Sequence, residues 1–309
     1  MKHLENLQSL SSEDMQEILR VSSALKKMTQ QGKRPSLLSN YCLSQLFEKP
    51  SLRTRLSFDV AMTQLGGTSL FFTAADVGLN GRESLADVAR VITRFTDVLV
   101  IRAFSQDLIT EFSRYASCPV INGLSDLSHP CQAIADLLTI QEQFGSVKGK
   151  TIAFVGDGNN VARSLATASA MLDVKYILSA PEGYEFSDDY LKKTQKNFPK
   201  FDLQSIRDPK EAVKTADIIY TDVWASMGQE SEAAQRQKDF AGHQVNGDLM
   251  KHAPAHARFM HCLPARRGME VTDEVMDGKW SIAFDQAENR MHSAKGIILW
   301  LLDKSSEVQ

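Results

Sequence analysis

The chain has 309 residues, more than one simple core organises, so about two domains are expected. Hydrophobic residues make up 43% and charged residues 24%, the range of ordinary soluble globular proteins. A formal net charge of −3 gives no general attraction to nucleic acid or an anionic membrane, so any anion site must be a local concentration of donors. The four cysteines, Cys42, Cys118, Cys131 and Cys262, form no C-x-x-C pair, which disfavours a disulfide framework or structural zinc.

The N-terminal stretch "MKHLENLQSLSSEDMQEILRV" lacks the apolar core of a signal sequence. Ser11 followed by Asp14 reads as a capping box opening an amphipathic helix. No run approaches the roughly 18 apolar residues of a membrane span, and the expected location is the cytoplasm, with the mature form of an imported protein as the alternative. Short β-rich runs then alternate with helical patterns. The first half gives "CLSQLF", "TSLFF", "VLVIR" and "PVING", with helices starting near Ser51, Glu83 and Ser105. The second half gives "TIAFVG", "KYILSA", "DLQSI", "DIIYTD" and "RFMHCL", with helices at Asn160, Asp188, Pro209 and Thr272. Apolar strands alternating with helices predict an α/β fold with two domains, each a parallel sheet flanked by helices.

The expected division is 1–130, a linking helix within 131–150, and 151–287, with the apolar helix 288–309 packing back on the first domain. Interdomain helices would join the domains, and the active site would lie in the cleft between them. Strand C-termini bind ligands in open parallel sheets. The stretch Trp224–Val245 is long, polar and charged, and reads as a binding loop or lid, with a solvated helix as the alternative.

Several strand ends carry chemistry. "FEKPSLRTR" places Ser51, Arg53, Thr54 and Arg55 where a helix begins after Pro50. Backbone N–H groups, two hydroxyls and two guanidinium groups at a helix N-terminus suit a phosphate-like anion. Arg102 ends "VLVIR", His129–Gln132 follow "PVINGLSDLS", Asp222 ends "DIIYTD", and His261–Pro264 end "RFMHCLP". "FVGDGNNVARS" resembles a dinucleotide turn, but Val161 stands where the third glycine belongs. Ser179 and Ala180 end the next strand where a ribose-binding acid belongs. That disfavours a nicotinamide site and leaves Asn159 and Asn160 as amides for a small polar group.

The motifs "FEKPSLRTR", "HPCQ", "GDGNN", "DVWASMG", "HCLP" and "AENR", in that order over nearly the whole chain, resemble the aspartate/ornithine carbamoyltransferase family and its ornithine branch. The resemblance implies carbamoyl transfer from carbamoyl phosphate to the δ-amine of L-ornithine, with no organic cofactor and no metal. It implies that Ser51, Leu52 through its backbone, Arg53 and Thr54 cradle the phosphate. Arg102, His129, Pro130, Cys131, Gln132, Cys262, Leu263 and Arg290 would surround the carbamoyl end, with Arg102, His129, Asp222 and Cys262 catalytic. Asn160, Asp222, Ser226 and Met227 would hold ornithine. The family also implies a homotrimer or a multiple of trimers, with no nucleic-acid or membrane partner. Leu52 stands where the motif most often has Thr, and Gly78 where ornithine enzymes commonly carry a Gln that touches carbamoyl phosphate.

Overall fold

The computed structural model describes residues 1–79, 81–225, 228 and 230–308. The chain forms two compact units. One comprises Met1–Leu138 and Glu288–Gln309, the other Thr139–Ala287. The divisions fall inside two helices, Pro130–Phe144 and Ala283–Leu301.

The first unit is built on a parallel sheet of β1 (Cys42–Phe47), β2 (Thr68–Thr73), β3 (Val98–Arg102) and β4 (Val120–Leu124), in the order β2-β1-β3-β4. All five β3 residues are buried, as an interior strand covered on both faces requires. Leu46, Leu99, Ile101, Ile109, Phe112 and Val120 pack in the core of this unit. The sheet order reverses between β1 and β3, whose ends meet in register at Phe47 and Arg102. Such a reversal is where an open α/β sheet leaves room for a ligand.

Helices begin as the sequence suggests, because polar side chains replace the missing intrahelical partners. Ser51 caps Leu52–Gln64, Ser84 caps Leu85–Ile92, and Ser105 caps Gln106–Tyr115. Ser11 and Asp14 form the expected reciprocal box at the start of Ser12–Gln30. Residues from Glu288 onward return to this unit. Trp300 Nε1 donates to Asp14 Oδ1 at 3.0 Å, and Lys26 Nζ to Asn289 Oδ1 at 2.8 Å.

The second unit holds β5 (Thr151–Val155), β6 (Lys175–Ser179), β7 (Leu203–Ser205), β8 (Ile218–Thr221) and β9 (Arg258–His261), parallel in the order β7-β6-β5-β8-β9. Its reversal lies between β5 and β8. Ala153, Val155, Ile219, Phe259 and Val271 lie in its core. The polar stretch Trp224–Val245 contains a short helix, Ala233–Asp239, whose one inward residue is Arg236. Its anchorage is aromatic: Trp224 stacks on Phe240 at 5.6 Å, and Phe240 lies 4.7 Å from Tyr184. That anchorage is stronger than the polar composition of the stretch suggests. Among the described residues, no helix is long and apolar enough to cross a membrane.

Gly296 marks a close approach of the last helix to the first. A Cβ there would lie 2.1 Å from Ser22 Oγ and 2.7 Å from the Ile18 carbonyl oxygen. Alanine favours a helix over glycine by about 1 kcal/mol, but overpacking costs typically ~1–3 kcal/mol. The backbone oxygen cannot rotate away, so the steric term should win. Gly296→Ala is expected to lower the urea unfolding midpoint, and a raised midpoint would refute the close-approach argument.

Candidate active site

In the first unit, the turn after β1 delivers Ser51 to the N-terminus of the Leu52–Gln64 helix. Ser51 Oγ accepts the Thr54 N–H at 3.3 Å and donates to Thr54 Oγ1 at 3.1 Å. The end of β3 delivers Arg102, which is 5% exposed, beside a register shift between Ile101 and Arg102. Arg290 arrives from the last helix and is also 5% exposed. Its guanidinium donates to Thr54 Oγ1 at 2.9 Å and to Gln132 Oε1 at 2.7 Å, and lies 3.4 Å from His129 Nε2. Gln132 passes this contact on, donating through Nε2 to Asp136 Oδ1 at 2.8 Å. Ser51, Thr54, His129, Gln132 and Arg290, five of the expected residues, thus form one connected network.

His129 is held neutral. Burial pushes its pKa well below the ordinary 6.5, and the charges of Arg290, Arg102, Lys49 and Arg53 push in the same direction. Arg290 acts as donor, so Nε2 serves as acceptor. Pro130 and Cys131 are buried beside it, and burial pushes the Cys131 thiol up to about 12, leaving it an inert packing group. Arg53 is half-buried, and the Leu52 side chain is 69% exposed, so Leu52 offers a ligand at this helix end only its backbone.

In the second unit, β5 runs into Gly156–Asn160 and β8 into Asp222, the two strands at the sheet reversal. Asn159 caps the Asn160–Met171 helix and also donates through Nδ2 to Asp222 Oδ2 at 2.9 Å. The other carboxylate oxygen accepts the Val223 N–H at 2.8 Å and the Cys262 thiol at 3.1 Å. Asp222 is therefore fixed from three sides. Asn160 is half-buried at the first position of the helix, and Leu263 follows Cys262 with a left-handed φ of 59°. Ser226 and Met227 lie outside the described residues.

Asp222, His261 and Cys262 bring ligand-type atoms within 4.8 Å of one another. The set does not suit a metal, because both ring nitrogens of His261 are already engaged. Nδ1 accepts the Leu263 N–H, and Nε2 faces Glu270.

Two features, Lys49 and Arg236, escaped the sequence reading, and a third, the choice between Asn159 and Asn160, was left open by it. Lys49 adds a fourth positive charge on His129, although it stands inside "FEKPSLRTR". Asn159, rather than its neighbour, makes the bond to Asp222, and its capping position after the glycines was the available signal. Arg236, 7% exposed, donates to Asp157 Oδ2 at 2.7 Å and to the Trp224 carbonyl at 2.9 Å, tying the polar stretch to the "GDGNN" turn. Burial pushes Asp157's pKa up, and Arg236 opposes that shift.

A cationic cluster around a neutral histidine at one sheet reversal, and an oriented carboxylate and thiol at the other, define a group-transfer enzyme acting on an anionic donor. Residues 2–142 match the aspartate/ornithine carbamoyltransferase carbamoyl-P binding domain, and residues 148–301 the Asp/Orn binding domain of the same family. The ornithine carbamoyltransferase of Archaeoglobus fulgidus is 49% identical over 308 residues, covering 100% of both chains. The anabolic ornithine carbamoyltransferase of Pyrococcus furiosus is 47% identical, covering 94% of this chain and 93% of its own. Among solved structures, ornithine carbamoyltransferase from Pyrococcus furiosus superposes with a TM-score of 0.94 at 46% identity, covering 98% and 97%. The anabolic enzyme from Campylobacter jejuni gives 0.92 at 34% identity, covering 98% and 100%. This chain belongs to the aspartate/ornithine carbamoyltransferase family, and it is a carbamoyltransferase.

The His129 environment makes a signed prediction. Above about pH 6.5 the ring is neutral whether folded or unfolded. As pH falls below 6.5, the unfolded ring protonates first, so stability is lost progressively toward the lower folded pKa. Arg290→Met removes the largest of the opposing charges and should move the His129 midpoint upward in an imidazole NMR titration. An unchanged midpoint would show that Arg290 does not contribute to the shift.

Proposed function

We propose that this chain transfers the carbamoyl group of carbamoyl phosphate to the δ-amine of L-ornithine, giving L-citrulline and phosphate in arginine biosynthesis. The observation that carries the reading is the cluster of Arg290, Thr54, Gln132 and neutral His129 at the N-terminus of the Leu52–Gln64 helix. We place the reaction in the cytoplasm. The word "anabolic" in the name of the Pyrococcus furiosus relative supports the biosynthetic direction.

The phosphate sits on the helix N-terminus, held by Ser51, the Leu52 backbone, Arg53 and Thr54, where backbone donors and the helix dipole favour an anion. Arg102, His129, Gln132 and Arg290 face the carbamoyl end, flanked by Pro130 and Cys131. Their donors polarise the carbonyl and stabilise the negative charge that builds on its oxygen during attack. Cys262 and Leu263 contribute from the second unit. Ornithine is held there by Asn160, Asp222, Ser226 and Met227, with Asp222 and Cys262 fixing the δ-nitrogen. The new C–N bond forms as the C–O bond to phosphate breaks. An ammonium has no lone pair, so the amine sheds one proton to solvent before attack, and a second leaves the nitrogen as the C–N bond forms and is taken up by the departing phosphate. Carbamoyl phosphate is already activated, so positioning and electrostatics supply most of the acceleration.

Assembly as a homotrimer, or a multiple of it, belongs to the same proposal. It is supported by apolar residues on the first unit: β2 is an edge strand, Leu70 on it is 45% exposed, and Leu56 on the phosphate helix is 51% exposed. Light scattering on the purified protein is expected to give a mass that is a multiple of three chains.

The decisive assay offers carbamoyl phosphate with ornithine, putrescine, acetylornithine or aspartate and scores the carbamoylated product. Ornithine should be preferred over putrescine by orders of magnitude, because putrescine leaves the groups that hold the α-amino acid end unmatched. Arg53→Ala should lower kcat/KM for carbamoyl phosphate by roughly thirtyfold, equivalent to about 2 kcal/mol of lost charge-assisted contact. Comparable turnover of putrescine would reject ornithine as substrate, and an undiminished Arg53→Ala would reject the cradle.

A further inference from the structure

His261 belongs to the "HCLP" motif, yet the reaction as described uses only the two residues after it. It ends β9 and is 0% exposed, as is Glu270. Its backbone N–H donates to Gln286 Oε1 at 2.9 Å, and Gln286 Nε2 in turn donates to Tyr220 OH at 2.9 Å. Both sides of its ring are engaged. Nδ1 accepts the backbone N–H of Leu263 at 2.8 Å. A nitrogen that accepts carries a lone pair, so the single proton of the neutral ring sits on Nε2. That Nε2–H faces Glu270 Oε1 at 3.2 Å. The same carboxyl oxygen accepts the Arg266 backbone N–H, while Oε2 is buried with no hydrogen-bond partner among the described residues.

A buried carboxyl oxygen without a partner is costly, so the carboxyl needs a reason to be there. The reason lies two residues beyond His261. Leu263 has a φ of 59°, a left-handed conformation that costs an L-residue with a branched side chain roughly 1–2 kcal/mol. Such a conformation persists only when its surroundings over-determine it. The Leu263 N–H bonds to His261 Nδ1, which requires the Nε2–H tautomer, and Glu270 faces that Nε2. The turn it fixes carries Cys262, whose thiol lies on Asp222 Oδ1 at 3.1 Å.

We propose that Glu270 and His261 form a buried positioning dyad. Glu270 fixes the tautomer of His261, His261 holds the strained Leu263 N–H, and the turn between them sets the Cys262 thiol on Asp222. Neither residue of the dyad touches substrate. The assignment rests on the reading of Asp222 and Cys262 as the groups that orient ornithine's δ-nitrogen.

Two substitutions separate positioning from bulk stability. In His261→Asn the side-chain oxygen falls near the place of Nδ1 and can still accept the Leu263 N–H. In His261→Gln the amide reaches toward Glu270, but the acceptor for Leu263 is lost. The dyad predicts that His261→Gln lowers kcat/KM for ornithine at least tenfold while the Kd for carbamoyl phosphate alone stays within twofold, and that His261→Asn retains most of the ornithine efficiency. Nitrogen-15 NMR of the wild-type ring should show an unprotonated Nδ1 and a protonated Nε2, and this needs no variant to fold. A protonated Nδ1, wild-type ornithine kinetics in His261→Gln, or equal losses in both variants would each overturn the dyad. Wild-type protein that does not turn over ornithine would overturn the functional reading and the dyad's role with it. A wild type that does, beside an unaffected His261→Gln, would overturn the dyad alone.

Discussion

Positive charge concentrated around one buried, neutral histidine is the constraint on which the first unit is organised. Lys49, Arg53, Arg102 and Arg290 all act on His129 in the direction that opposes protonation. Unit charges a few ångströms apart near a protein surface interact by about 4 kcal/mol, so holding like charges together is unfavourable without a framework. The framework is covalent and topological. Two charges come from the segment after β1, one from the end of β3, and one from a helix nearly two hundred residues later in the chain. That helix is fixed to the N-terminal helix through Trp300, Asn289 and the close approach at Gly296. On the proposed assignment, an arriving phosphate would relieve the repulsion, so the same charges would be unfavourable for the empty fold and favourable for the complex.

The second unit solves the opposite problem by the same topology. Its sheet reversal presents a carboxylate, and the surrounding groups orient that carboxylate. Asn159, Val223 and Cys262 each donate to Asp222, so both oxygens point in set directions before any amine arrives. Cationic donors suit the anionic substrate, and an oriented acid suits the amino substrate. In each unit the strands that flank the reversal deliver part of the set, Ser51 and Arg102 after β1 and β3 and Asn159 and Asp222 after β5 and β8, while His129, Gln132, Arg290 and Cys262 arrive from other elements.

The strands were legible because an interior parallel strand must be apolar on both faces; "VLVIR" and "TIAFV" became β3 and β5 with every residue buried. Helix starts were legible because a serine before an apolar period has a local physical job, as at Ser51 and Ser105, while the start expected near Glu83 is capped by the next residue, Ser84. Buried charge was not. Arg236 reads as a surface arginine in a polar stretch, and only folding brings it to Asp157, 79 positions earlier. Its helix, Ala233–Asp239, turns no apolar stripe inward, so periodicity could not reveal it. Arg290 was identified through the motif "AENR" and not through any pattern in its helix, because the partners that give it meaning lie in "SLRTR" and "HPCQ".

The acceptors that Arg290 meets also bear on how a ligand enters. Thr54, Gln132 and His129 offer neutral atoms, a hydroxyl, an amide and an imidazole nitrogen. Hydrogen bonds to ionised oxygens are roughly twice as strong as those to neutral ones. A carboxylate in their place would hold the guanidinium tightly and compete with an incoming oxyanion on equal terms. Neutral acceptors keep the group ordered, so little side-chain entropy remains to be lost, and they yield it readily. Asp136 stands behind the Gln132 amide, where its Oδ1 accepts from Nε2 and orients the amide whose oxygen takes the guanidinium. On the proposed reading of this cluster, the interposed amide would let it be ordered before binding and still favour the anion over a neutral protein partner.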